Sequence, residues 1–151
     1  MCANFKPLTY SQLQALNLPP IPFEYLDEVY PAYTTPLLFK SELGLEWRDV
    51  MFGLVPKWAT DLSSAKKIYN ARSETLLQRS SFFEAAAKCN FGVIPVTEFY
   101  EAKYIDGKPQ RWCVRRKDGQ AFFIAAIYEI CRLDGDIIRS AAMITMDASH
   151  H

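Results

Sequence analysis

The 151-residue chain carries 17 Lys and Arg against 17 Asp and Glu, for a formal net charge of zero. Its length fits one domain of ordinary size, residues 1–151, and a chain that is half hydrophobic has ample apolar surface for a packed core. The neutral balance predicts neither an acidic tail nor a polyanion binder and argues against nucleic-acid binding, although a local basic face is compatible with it.

No apolar run approaches the length of a membrane span, and the opening MCANFKPLTY lacks the apolar centre of a signal peptide. A cytoplasmic monomer with no membrane partner is therefore expected. Cys2, Cys89, Cys113 and Cys131 are 87, 24 and 18 residues apart, a spacing that fits neither a disulfide framework nor a metal knuckle. Reduced thiols are expected, with Cys89, Cys113 and Cys131 buried in apolar surroundings.

Along the chain, a short helix is predicted from Ser11 to just before Pro19-Pro20, because proline ends helices. Residues 31–36 read as loop. Residues 36–40 and 46–55 read as strands joined by a turn at Glu42-Leu43-Gly44, and residues 56–69 as a long polar connection. Residues 73–88 give the strongest helical signal, with Ser73 as a cap and Ala85-Ala86-Ala87 near the end. Beyond Cys89, residues 91–96, 99–105, 111–116, 122–131 and 137–146 are strand-like. Asp106-Gly107, Asp118-Gly119 and Asp134-Gly135 punctuate them, and Asp-Gly is a strong hairpin signal. The expected fold is α+β, mainly antiparallel β, curled into a partly closed barrel with a few packed helices. The chain stops soon after its last strand, so a further C-terminal portion is expected in the natural protein.

Three groups of residues could carry chemistry. Cys2 becomes an N-terminal aminothiol if Met1 is removed. At an α-amino pKa near 7.7, roughly a sixth of such amines are unprotonated at pH 7. The amine can attack an aldehyde, and the thiol can then close a five-membered thiazolidine, a reaction no internal cysteine can perform. The plainer account is an incidental residue in a frayed terminus. Next, Asn70-Ala71-Arg72-Ser73-Glu74-Thr75 follows the stretch Phe52-Gly53-Leu54-Val55-Pro56-Lys57-Trp58. Asn70 supplies a donor and an acceptor, and Arg72 a fork suited to phosphate. Helix capping by Ser73 and a surface Arg72–Glu74 ion pair would account for the same residues. Last, strand alternation over Thr97-Glu98-Phe99-Tyr100-Glu101 puts Glu98 with Tyr100 and Phe99 with Glu101. A carboxylate flanked by aromatic residues and alanine is expected to be partly desolvated and its pKa raised, which suits a general acid or base.

Taken together, the Met1-Cys2 start, FGLVPKWA, NARSET, the P-x-x-x-F-Y-E stretch, FIAAIYE and MIT resemble, in order over nearly the whole chain, the SOS response-associated peptidase family. Members of that family crosslink covalently to abasic sites in single-stranded DNA. The resemblance implies that Cys2 is the nucleophile forming a thiazolidine with the ring-opened deoxyribose, and that Asn70 orients it. It further implies that Arg72 grips a DNA phosphate and that Glu101 assists proton transfer, including in self-processing removal of Met1. The implied reaction needs no metal and no cofactor. Lys57, Arg72 and Arg79, with Lys66 and Lys67, form a candidate DNA face on which Trp58 and Tyr69 could stack unpaired bases. The chain departs from the family at Ala3-Asn4, where Gly-Arg is usual, at Ala102, where Trp is frequent, and at Tyr30-Pro31-Ala32-Tyr33-Thr34. The family's catalytic histidine lies in an H-x-R-x-P segment past the end of this chain, so neither His150 nor His151 takes its role. Two other functions fit the residues, an N-terminal-nucleophile hydrolase acting on acyl groups and a non-enzymatic binding barrel.

Overall fold

The computed structural model describes residues 2–147. Strand β1 (Asn4–Pro7) is followed by helix α1 (Tyr10–Ala15). Thr9 caps α1 through a capping box in which its hydroxyl accepts the Gln12 N–H and the Gln12 side chain accepts the Thr9 N–H, so the helix starts one residue ahead of expectation. Strands β2 (Thr34–Ser41) and β3 (Gly44–Phe52) form the expected hairpin, with β2 reaching back into the stretch read as loop. Strand β4 (Asn70–Arg72), helix α2 (Phe83–Ala87), and strands β5 (Phe91–Ile105), β6 (Lys108–Arg115), β7 (Phe122–Leu133) and β8 (Asp136–Thr145) complete the described chain. Among the described residues, no helix is long and apolar enough to cross a membrane.

Five strands close into a ring. β5 pairs with β2, β2 with β3, β3 with β8, β8 with β7, and β7 returns to β5. Closure leaves these strands few unpaired edges and makes the interior a single core. Phe5, Leu37, Val50, Phe52, Ile94 and Met143 fill it, all but fully buried, and Phe5 meets Phe52 edge to face at 5.0 Å. The remaining strands extend the ring, β1 and β6 on β5 and β4 on β8.

Three expectations are corrected. The helix over residues 73–88 does not form as one element. Asn70–Arg72 is drawn into parallel pairing with β8, the 3-10 turn Ser73–Thr75 starts without a side-chain cap, and only Phe83–Ala87 is α-helical. Tertiary packing overrides local propensity here, because Phe82, Ala85 and Ala86 fit against Leu54, Ala71, Ile127 and Ala142. The first two strand runs after Cys89 are one 15-residue strand, β5. Finally, Asp118-Gly119 is no hairpin. β6 and β7 both pair with β5, on different halves of it, so the chain crosses over between them. Asp106-Gly107 and Asp134-Gly135 do make tight hairpins, with φ of 50° and 72° and of 51° and 88°, as the two-residue turn requires.

Two local devices hold the architecture that carries the site. Gly53 ends β3 at φ +114°, and a Cβ there would fall 1.9 Å from the Ala65 carbonyl oxygen. β1 is fixed to β5 by Lys6 Nζ, 2.8 Å from Glu98 Oε1, while the Tyr100 hydroxyl donates to the same carboxylate. These two donors, Lys6 first and then Tyr100, hold the Glu98 carboxyl below the usual carboxylate range, at about 2.

Gly53→Ala combines a positive-φ penalty with a backbone clash, on the order of 2 kcal/mol or more, and should lower the melting temperature by about 4 °C or more. Gly44→Ala, at the same φ in open space, should cost clearly less. Equal losses in thermal melts would refute the close-approach argument. Glu98 has a folded pKa below its ordinary value of 4.5, so its contribution is present above that value and is lost as pH falls toward 2. Urea titrations of Glu98→Gln should therefore show a smaller stability difference between pH 5 and pH 2.5 than the parent chain.

Candidate active site around Cys2

Cys2 sits immediately ahead of β1, whose pairing with β5 carries it against the second half of that strand. The Ala3 N–H donates to the Tyr100 carbonyl at 3.4 Å, and the Cys2 thiol donates to the Asn4 carbonyl at 3.5 Å. The side chain is 4% exposed and belongs to the main core cluster, so this start of the chain is docked. Burial pushes the thiol up to about 11, with backbone hydrogen bonding to Tyr100 working against the rise and the Glu101 charge adding to it. At neutral pH the group is a neutral thiol.

Asn70 reaches the same place from the other side. It is the first residue of β4, which pairs in parallel with β8 from Met143 to Thr145. Its Nδ2 donates to the Cys2 carbonyl at 2.9 Å across 68 residues of sequence. Its Oδ1 is buried and lacks a hydrogen-bond partner among the described residues. Strand alternation places Arg72 on the same side of β4, one repeat further on. Its guanidinium is 51% exposed and lies 3.6 Å from Glu74 and 3.9 Å from Asp147, so the ion pair foreseen with Glu74 is present.

Glu101 lies one residue beyond Tyr100 on β5, half-buried, with Phe99 on its own face. Together with Ala3 and Asn4 it lines a cleft of about 250 Å³ whose other wall is the β5–β6 hairpin, including Arg111. Cys2, Asn70 and Glu101 are thus brought to one region by three elements distant in sequence.

The other candidate side chains lie elsewhere or are otherwise engaged. Lys57 and Trp58 line a separate recess with Ser80, Ser81, Glu84 and Glu129. Lys57 Nζ is 3.3 Å from Glu84 and 3.9 Å from the buried Glu129, which neutralises it. Trp58 is 60% exposed, and Arg79 is exposed as well. Tyr69 is half-buried. It packs on the core with its ring 5.9 Å from Phe52. The four cysteines are unpaired, but Cys89 and Cys113 are exposed, and only Cys131 of the three internal thiols is buried as expected. His150 and His151 lie outside the described residues.

Sequence reasoning missed a polar cluster beside Cys2. The buried Asn4 donates through Nδ2 to Glu28, which also accepts from the Tyr30 hydroxyl at 3.1 Å and from Arg111. The Arg111 guanidinium stacks 3.6 Å over the Tyr100 ring. The register of the Asp106-Gly107 hairpin, which pairs Ala102 with Arg111, would have pointed to this arginine.

Comparison with known proteins places the chain. The profile of the SOS response associated peptidase (SRAP) family matches residues 12–151. The chain is 34% identical over 104 residues to a Bacillus subtilis protein named abasic site processing protein YobE, covering 65% of this chain and 45% of that one. It is 37% identical over 83 residues to B. subtilis YoqW, similarly named, covering 52% and 35% of the two chains. A yeast abasic site processing protein is 29% identical over 85 residues, covering 55% of this chain and 23% of its own. The chain therefore spans less than half the length of these curated relatives. A crystal structure of a Bordetella bronchiseptica protein superposes over 99% of this chain and 74% of its own, with a TM-score of 0.87 at 26% identity. A Bacteroides thetaiotaomicron structure shares the fold, with a TM-score of 0.76 at 20% identity over 97% of this chain and 68% of its own. With a barrel of this topology and a family profile running over residues 12–151, the chain belongs to the SOS response associated peptidase family.

Proposed function

We propose that this protein captures abasic sites in single-stranded DNA as a covalent thiazolidine on Cys2, after removal of Met1. The observation that carries the reading is the contact of Asn70 with Cys2 across 68 residues, in a position where the thiol senses the Glu101 charge. The names of the relatives, abasic site processing proteins, support the same substrate.

The chemistry follows from the groups present. The Cys2 amine adds to the C1 aldehyde of the ring-opened deoxyribose to give a carbinolamine. Loss of one water, with a proton delivered to the leaving hydroxyl, gives a Schiff base. The thiol then adds across the C=N bond, its sulfur to carbon and its proton to nitrogen, closing the ring. Burial of the thiol, which favours its protonated form, suits this order, because the amine acts first and the thiol arrives with its proton. Glu101 is the group placed to move protons, and Asn70 fixes the Cys2 backbone by its donor end. The buried Asn70 Oδ1 offers an acceptor that an ammonium or carbinolamine could use. The same carboxylate would assist hydrolytic removal of Met1. The acyl-transfer alternative requires a thiolate at Cys2, and burial works against one.

On the DNA side, Arg72 is proposed as a phosphate contact, with Arg79, Lys57 and Trp58 further out. The existing ion pairs of Arg72 and Lys57, and the zero net charge of the chain, predict weak and salt-sensitive encounter.

The test is intact mass after incubation with an abasic single-stranded oligonucleotide. Chain lacking Met1 should gain the oligonucleotide mass less one water. Chain retaining Met1, and Cys2→Ala, should gain nothing, and a crosslink on Met1-containing protein would overturn the reading. Arg72→Ala should slow crosslinking to the oligonucleotide several-fold while leaving reaction with a small aldehyde nearly unchanged. Equal slowing of both would mean that Arg72 supports Cys2 itself and does not clamp DNA.

A further inference from the structure

Beside Cys2, the cleft between β1 and the β5–β6 hairpin ends in a guanidinium that none of the motifs includes. We infer that Arg111 is a phosphate-binding residue of this cleft, taking a backbone phosphate that flanks the abasic sugar. The inference rests on the reading that Cys2 captures that sugar, and supplies a contact for its DNA strand.

The geometry supports the assignment in three ways. First, Arg111 stands opposite Ala102 on the hairpin and lines the cleft together with Ala3, Asn4 and Glu101, the immediate neighbours of Cys2 in sequence and in charge. Cys2 adjoins these walls through Ala3, so they are the exposed surface next to a sugar bonded there. Second, the guanidinium is held in place without being buried. Its face lies 3.6 Å over the Tyr100 ring, and Glu28 engages its Nη2 end. An arginine stacked and tethered in this way has already lost much of its rotamer freedom, so less is lost on binding an anion. Third, the side chain is still 53% exposed, and a guanidinium carries five donors, of which the Glu28 contact uses one end. Glu28 itself is shared among Asn4, Tyr30 and Arg111, which spreads its charge over three donors. A small residue at Ala102 leaves the cross-strand position open for the arginine to lie over Tyr100.

A purely structural role is the competing account, with Arg111 serving only to neutralise Glu28. The two accounts differ in what DNA would feel. Binding of the whole chain is measured by titration into a single-stranded oligonucleotide carrying a central tetrahydrofuran residue, an abasic sugar without an aldehyde. Arg111→Ala should weaken binding about tenfold and reduce the slope of log K against log salt by about 0.7, the value for one phosphate contact on a single strand. Arg111→Lys should keep the slope while recovering only part of the affinity. Replacing either flanking phosphate by a neutral methylphosphonate locates the contact. At one of the two linkages the replacement should weaken the parent chain and leave Arg111→Ala unaffected. An unchanged salt slope in Arg111→Ala, or equal sensitivity of both proteins to methylphosphonate at both linkages, would overturn the assignment. Crosslinking to an ordinary abasic strand is read separately. Its failure would sink the Cys2 reading while leaving the Arg111 binding measurement intact.

Discussion

One edge of β8 has to serve two strands. β3 pairs in parallel with Ser140 and Ala141, and β4 pairs in parallel with Met143 through Thr145. The two cannot occupy the same stretch, so β3 must leave the ladder at Phe52 before β4 enters at Asn70. Gly53 makes that exit, with Ala65 backbone standing where any Cβ would go. The handover leaves no gap in hydrogen bonding. The Gly53 N–H goes to the Ala141 carbonyl at 2.8 Å, the Leu54 N–H to Ile68 at 2.7 Å, and the Val55 N–H to the buried Ser140 hydroxyl at 2.8 Å. Asn70 is the first residue of the incoming strand, and it meets Cys2 there. The place of Asn70 at Cys2 thus depends on β4 pairing with the stretch of β8 that β3 leaves free.

This constraint also explains which parts of the architecture could be read from residues alone. The hairpins at Asp106-Gly107 and Asp134-Gly135 and the β2–β3 pair were legible because turn chemistry and flanking apolar runs are local signals. The alternation of Glu98 with Tyr100 was legible for the same reason, and the two do share a hydrogen bond. The parallel contacts of β8 were not, since no residue in Asn70–Arg72 advertises a partner more than 70 positions away. Reading that segment as the entry to a helix was a reasonable use of local propensity, with Ala85 to Ala87 supplying real helical preference. β5 was split because Thr97 and Glu98 interrupt its apolar character. In the fold they mark a change of partner, from β2 at Val93 to β1 from Val96 onward. The Lys6–Glu98 pair was not legible, because Lys6 lies 92 residues earlier and reaches Glu98 only through β1 pairing.

The convergence of Cys2, Asn70 and Glu101 was legible through resemblance more than through physics. Cys2, Asn70 and Glu101 each had a plainer explanation, and only their order along the chain suggested that they belong together. The structure supplies the electrostatics that sequence could not. A buried thiol is a poor thiolate nucleophile but, on the proposed reading, an adequate partner for ring closure on an imine. Lys57 and Arg72, which look like a basic face in a list of residues, stand beside Glu84, Glu129, Glu74 and Asp147. On the proposed reading, a chain arranged in this way would hold DNA by the bond it forms more than by the attraction that precedes it.

The departures from the family pattern are not scattered over that picture. Asn4 and Ala102 both border Arg111, the first through their common partner Glu28 and the second as its cross-strand neighbour. Asn4 is short enough to be 6% exposed beneath the cluster, and Ala102 leaves room on the strand surface for a guanidinium to lie against Tyr100. A longer side chain at position 4 would compete for Glu28, and a large ring at position 102 would face Arg111 directly. The three residues therefore form one solution to packing around Cys2, in which a positive charge enters from β6 instead of from the start of β1. A change at one of them is constrained by the other two, because Glu28 accepts from Asn4 and Arg111 alike.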